Sequence, residues 1–213
     1  MAKKPKGPAS PFYTYEPKSG HGLAHDPFNA IIGPRPIGWM STISKTGIAN
    51  LAPYSFFNGF NYYPPIIGFA SLSLKDTARN IHDNGEFVWN MATEPLAEAM
   101  NATSAQVSEA IDEFMLGGLD TLPSKVVKPP RVAASPVAFE CKMTQQFQLT
   151  NLRGETTPAW MTFGEVVCVH IHQDYLKDGV FDTTAARPIL RAGGAGDYYR
   201  ISSDAHFFMP RPK

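Results

Sequence analysis

The chain has 213 residues, with Lys plus Arg and Asp plus Glu at 19 each, so its formal net charge is zero. That balance argues against a nucleic-acid binder, which carries a basic excess, and no apolar run of about 18 residues is present to span a membrane. The length suits one domain burying roughly 70% of its unfolded surface, with no disulfide or structural metal required.

Residues 1–34 carry Pro5, Pro8, Pro11, Pro17, Pro27 and Pro34 with several glycines, which predicts an extended lead-in rather than a packed element. Lys3, Lys4 and Lys6 precede no apolar segment, so residues 1–20 read as a flexible, solvated arm and not as a secretory signal. Residues 21–213 are expected to form a single domain. A strand is predicted over 37–44, a turn at Thr46 and Gly47, and a returning strand over 48–54. Pro64 and Pro65 open another strand over 66–72, whose near-continuous apolar run predicts burial on both faces.

Residues 75–84 read as a helix, with Asp76 and Thr77 near its start and Gly85 as a left-handed stop. A strand over 86–91 comes next, then helices over 93–100 and 106–116. In the second of these, Val107, Ile111, Phe114 and Met115 recur at helical spacing. Gly117 and Gly118 end it, and a loop rich in Pro and Lys runs to Pro136. Over 138–149, Phe139, Cys141, Met143, Phe147 and Leu149 alternate with Glu140, Lys142, Thr144, Gln146 and Gln148, predicting a strand with one wet face. A second long strand, rich in Val, spans 163–171. Several strands with a few interposed helices predict a mainly β chain, a barrel with helical additions.

Cys141 and Cys168 lie inside those strands with no CxxC spacing, so they read as buried thiols in a reducing cytoplasm. Charged residues at 18% and aromatics at 12% point to surface covered in an oligomer. His170 and His172 share a strand face, but no carboxylate or cysteine at ligand spacing joins them, so no metal site is expected. His21 and His25 are flanked by glycines that oppose a helix aligning them. The glycine-rich run from Arg191 to Gly196 has no helix after it, so it fails the dinucleotide-binding pattern and reads as a tight backbone passage. No GxSxG elbow points to a hydrolase.

One cluster carries chemistry. Ser71, Ser73, Lys75 and Thr77 alternate across a strand end and a helix start, with Asn80 one turn further on. Residues two apart on a strand share a face, so Ser71 and Ser73 converge. The helix start adds free N–H groups and a favourable dipole, Lys75 a full charge and Thr77 a hydroxyl. That is a cup for a phosphate; the competing reading has Ser73 or Asp76 capping the helix while Lys75 points into water. Trp39 to Thr42 and Ala52 to Phe57 offer small residues, hydroxyls and aromatics for the walls of a flat ring, though aromatics there are equally read as core. Flavin mononucleotide, FMN, is a ligand that needs both halves.

The succession PRPIGWMST, NLAPYSFF, YPPIIGFAS, KDTARNI and EFVWN resembles the flavin reductase-like family. Glu140-Cys141, Gly164-Glu165-Val166-Val167, Pro188-Ile189-Leu190-Arg191 and Gly193-Gly194 before Tyr198 and Tyr199 extend the likeness from His21 to the C-terminus. It is nearest the branch of flavoredoxin and the small reductases of two-component monooxygenases. The resemblance implies an FMN-binding split β-barrel and a homodimer with each flavin near the subunit boundary. It also implies that Arg35, Trp39, Met40, Ser41, Thr42, Ala52, Pro53, Tyr54, Ser55 and Phe56 surround the ring and ribityl chain. Ser71, Ser73, Lys75, Thr77 and Asn80 are implied at the phosphate. Asn61-Tyr62-Tyr63 departs from the family, which commonly has an acidic residue before the paired prolines.

The expected activity is an FMN-dependent oxidoreductase, a flavin reductase drawing on NADH or NADPH and serving free flavin, oxygen or a partner such as a monooxygenase. No side-chain acid or base is expected to be essential, because the cofactor carries the chemistry. Trp39, Tyr54 and Phe57, with His82 or Arg191 from a neighbouring subunit, are the residues expected to shape the nicotinamide face. The alternatives are a flavoredoxin-like electron carrier without nicotinamide activity and a flavin-free barrel acting as a binding module.

Overall fold

Seven antiparallel strands form one sheet in the order Ala49–Tyr54, Gly38–Ile43, Glu86–Asn90, Val137–Thr150, Thr156–Ile171, Pro65–Ser71 and Phe57–Tyr62. The structure is a computed structural model that describes residues 11–212; residues 1–10 of the expected arm lie outside it. The sheet curls so that its two ends approach. The Tyr54 and Phe69 rings, from the first and sixth strands of that order, stand 4.7 Å apart, centroid to centroid. Inside the curl lie Met40, Phe69, Phe87, Ile81 and Cys141, all fully buried. A second cluster of Trp39, Leu51, Met100, Phe114 and Val132 packs outside the first strands.

Close packing at the centre depends on a glycine. A Cβ on Gly164 would sit 2.4 and 2.5 Å from two ring carbons of Phe87, whose side chain is fully enclosed and cannot retreat. Gly164→Ala is expected to cost about 1–3 kcal/mol as an overpacked core, read as a lower melting midpoint in calorimetry. An unchanged midpoint would mean that this core is looser than its geometry.

The Asp76–Asn84 helix appears one residue inside its expected start and ends at Gly85, in the left-handed region at φ 71°. Other expectations need correction. The helix expected over 106–116 is only Glu113–Leu116, started by Asp112 accepting from Phe114 N–H. Of its supposed apolar stripe only Phe114 is fully buried, while Ile111 and Met115 are exposed. A stripe without a surface to bury it gives no helix. The helix expected over 93–100 begins as a short 3-10 turn at Pro95 and becomes Ala97–Ala102. The described part of the lead-in contains a 3-10 turn, Pro17–Ser19, and a short α-helix, Phe28–Ile31, with Asp26 accepting from Phe28 N–H. The Phe57–Tyr62 strand was not predicted; it ends in the exposed Tyr62 and Tyr63 where the sequence departs from the family.

A further correction concerns the wet face of Val137–Thr150. Its register against Thr156–Ile171 shifts at Thr144, between the pairs Phe163–Gln145 and Gly164–Met143. An extra residue at such a bulge swaps the faces of everything beyond it. Past the bulge, Gln146 turns inward and donates to Ala78 O at 2.9 Å and to Thr162 Oγ1 at 3.0 Å. Phe147 and Leu149 turn outward and are exposed, with Phe147 stacked on Phe163.

Before the bulge, the supposedly wet side is covered by the 117–136 loop. Glu140 is fully enclosed there. Its carboxylate accepts from the N–H groups of Lys125, Val126 and Val127 at 2.7, 2.6 and 3.0 Å and from His170 Nε2 at 2.6 Å. Asn90 Oδ1 takes Val132 N–H at 2.8 Å, Glu86 takes Lys128 N–H at 3.0 Å, and Ser41 Oγ donates to Pro130 O. Buried polar groups are thus the fasteners of a long loop. The expectation that no carboxylate or cysteine accompanies His170 is overturned, since Glu140 and Cys168 lie with it in one cluster. Both carboxylate oxygens already accept hydrogen bonds, so the trio is complete as a hydrogen-bonded set. Cys168 is half-buried rather than enclosed, whereas Cys141 is fully buried.

Candidate cofactor site

Two cavities adjoin along Pro53, Tyr54 and Ser104. The first, of about 280 Å³, lies between the Ala49–Tyr54 strand, the start of the Asp76–Asn84 helix and residues 103–107. The second, of about 430 Å³, lies below the hairpin formed by Ile189–Arg191 and Tyr198–Arg200. Together they fall within the size range of cofactor pockets.

The helix start is unsealed. Lys75 occupies the N-cap position in extended conformation with no side-chain hydrogen bond closing the first turn, so neither Ser73 nor Asp76 caps it. The first N–H groups of a helix carry partial positive charge and attract anions. Lys75 and Thr77 line the same cavity, and Lys75 forms no ion pair among the described residues. Asp76 also lines the cavity, but its carboxylate is bound to Arg79, which in turn meets Glu109 at 2.7 Å. Glu113 lies at the far wall, buried, accepting from Leu51 N–H at 3.0 Å. Burial pushes its carboxyl up from the ordinary value, towards the neutral form. Lys75 is the one cationic side chain among the residues lining this chamber.

Tyr54 stands where the chambers meet. Burial of its hydroxyl raises its pKa to about 12 against the opposing influence of the Thr77 and Ser71 hydroxyls, so it stays a neutral phenol at ordinary pH. Thr77 Oγ1 accepts from Asn50 Nδ2 at 2.8 Å, which holds the helix start against the strand.

The expected residues separate into groups. Ala52, Pro53, Tyr54, Lys75 and Thr77 line the first cavity, and Pro53, Tyr54 and Ser55 the second. Trp39, Met40, Ser41 and Thr42 are completely buried and present no surface to a ligand. Trp39 donates to Thr103 Oγ1 at 3.0 Å, and Thr42 accepts from Asn80 Nδ2 at 3.1 Å; both are supports behind the site. Trp39 therefore cannot shape an exposed ring face. Phe57 stacks on Trp89 in the core at 5.6 Å, and His82 engages Gln146 at the other end of the helix.

Arg35 is buried against the lead-in, donating to Asn29 O and, at 3.3 Å, to Ala192 O, with its guanidinium over the Phe56 ring. Neither Arg35 nor Phe56 lines these two cavities. Ser71 and Ser73 do not converge. The strand ends at Ser71, whose hydroxyl turns back to Ser73 O at 2.6 Å, leaving Ser73 exposed. Asn80 lines a separate charged cavity with Lys45, Arg79 and Asp83. Missed by the sequence reading were Asn50, Thr103, Ser104, Gln106, Glu113 and Tyr198. Asn50 sits inside the NLAPYSFF run and was within reach; the others depend on how the 103–113 loop and the hairpin fold back.

Residues 33–189 match the flavin reductase like domain. The chain belongs to the flavin reductase-like family. YwrF of Bacillus subtilis is 34% identical to this family member over 201 residues, covering 89% of this chain and 95% of the relative. Among solved structures, the 2-nitrobenzoate 2-nitroreductase of Pseudomonas fluorescens is 29% identical, with a TM-score of 0.77 over 87% of this chain and 91% of that one. Nitrilotriacetate monooxygenase component B from Bacillus cereus is 25% identical, with a TM-score of 0.81 over 97% and 100%. The curled sheet described above is the split barrel of the flavin reductases. The donor set fits a flavin nucleotide: an open helix start and a free ammonium at one end, and an aromatic, low-charge chamber at the other.

Proposed function

We propose that this flavin reductase-like protein binds FMN across the two cavities and acts as an NADH- or NADPH-dependent flavin reductase. The observation carrying this reading is the uncapped helix start with Lys75 and Thr77, joined through Tyr54 to a larger chamber. Bound FMN would supply hydride acceptance at its N5 and onward electron delivery. The chain's own part is positional. Lys75 and the helix N–H groups hold the phosphate, Thr77 and Asn50 brace them, and Ala52 to Ser55 form the wall along which the flavin lies. Ser71 and Asn80, together with the buried Trp39–Thr42 segment, support that wall from behind.

The recipient of the electrons is a free flavin or a partner protein such as a monooxygenase, a reading supported by the likeness to a monooxygenase component. The protein acts as a homodimer in this reading. The exposed Phe60 and Phe147, grouped around Phe163, support that assembly; light scattering should return twice the chain mass, and a monomer at micromolar concentration would contradict it.

The test of function is spectroscopic. Protein mixed with FMN should retain a visible flavin band through gel filtration, and anaerobic NADH or NADPH should bleach it. Failure to retain FMN removes the reading. Retention without bleaching by either nicotinamide would leave an electron carrier in place of a reductase.

A further inference from the structure

The larger cavity holds one charged side chain, and that side chain is a held guanidinium. Arg191 lines the chamber together with Ile37, Pro53, Tyr54, Met100 and Tyr198, and no carboxylate lines it. Arg191 Nη1 donates to Asp197 O at 2.7 Å and Nη2 to Ala195 O at 2.8 Å, and the guanidinium lies 5.0 Å from the centre of the Tyr198 ring. The hairpin that presents it is itself fixed. A Cβ on Gly193 would stand 2.3 Å from Ala30 Cβ, so the loop passes tightly against the lead-in. Two carbonyls occupy two of the five N–H donors of an arginine, which leaves three for a ligand. Neither carbonyl neutralises the charge.

We propose that this chamber is a subsite for a small planar carboxylate, aromatic or conjugated, anchored by Arg191 and flanked by Tyr198 and Pro53. The proposal deepens the redox reading by naming the class of second substrate that would enter beside the flavin. A guanidinium offers a flat pair of parallel donors that matches a carboxylate bidentately, while a tyrosine ring and a proline accept a flat apolar body. The positive charge rejects planar cations, and the apolar walls give a hydrated, compact anion such as chloride no comparable contact. The carbonyl ties and the ring hold the guanidinium in place before any ligand arrives, which lowers the ordering cost of binding.

Benzoate and its neutral isostere benzamide are the probes, titrated by saturation-transfer NMR into the wild-type protein with and without FMN. Benzoate should bind at least tenfold more tightly than benzamide. Arg191→Met should abolish that preference and Arg191→Lys should retain part of it. Equal binding of the two probes by the wild-type protein, which needs no variant, would overturn the proposal, as would a benzoate preference that survives Arg191→Met. The two readings fail separately. Charge-dependent benzoate binding without FMN retention sinks the flavin reading alone, and FMN retention without a benzoate preference sinks the subsite alone.

Discussion

Lys75→Ala is expected to weaken FMN binding about 10- to 100-fold while leaving the melting midpoint of the free protein unchanged. Lys75 is exposed, closes no helix turn by its side chain and forms no ion pair among the described residues, so its removal disturbs no packing. A hydrogen bond to a charged group is worth about 1.5–3 kcal/mol net, and each 1.4 kcal/mol is about tenfold in affinity. Titration of FMN fluorescence quenching measures the change. Lys75→Arg should recover most of the loss, because charge rather than shape is required there, and raised salt should narrow the gap between wild type and Lys75→Ala. Equal affinities at low salt would remove the phosphate from this end of the site. Thr77 is a poorer first probe, since its hydroxyl also receives Asn50 and its removal loosens the helix start.

Glu140→Ala should destabilise the fold by about 3–5 kcal/mol, the usual cost of stripping one partner from a buried ionic set. For a chain of this size that is a drop in melting midpoint of about 6–20 °C. Three N–H groups of the 125–127 loop would lose their acceptor together, along with His170. The same residue sets a pH dependence. Burial alone would raise the Glu140 carboxyl, but the donors around it outweigh burial and bring it from an ordinary 4.5 to about 2. A depressed folded-state value stabilises the fold fully above about pH 5, and that contribution is lost as the pH falls through 4.5 towards 2. Denaturation midpoints should therefore fall more steeply with acid in the wild type than in Glu140→Gln, in which the amide cannot titrate. Parallel acid limbs for the two proteins would refute this role.

Much of the fold was legible because its signals are local. Thr46-Gly47 turns the chain, Pro64-Pro65 opens a strand, and Gly85 ends a helix, each through backbone preferences that neighbours do not alter. Lys75 and Thr77 could be assigned to a helix start for the same reason. The misreadings came where a neighbour distant in the chain decides. The alternation in 138–149 is real in the sequence, yet one unpaired residue at Thr144 reverses its sense. Glu140 reads as a wet-face residue until a loop made by residues 117–136 closes over it. Val107 and Ile111 have helical spacing but no surface to cover, so no helix forms there.

For this protein, the amino-acid sequence alone determined a mainly β chain of the flavin reductase-like kind and the helix start that faces the first cavity. Turn chemistry, period-two alternation and short motifs act within a few residues, so they survive being read one segment at a time. The tertiary structure alone decided which side chains line the two cavities. It enclosed Trp39 to Thr42, brought His170 to Glu140 across 30 positions, and set Arg191 over a chamber walled by Pro53 and Met100. Those outcomes depend on strand register and loop closure. Both are settled by the packing of the whole sheet, and no single segment carries that information.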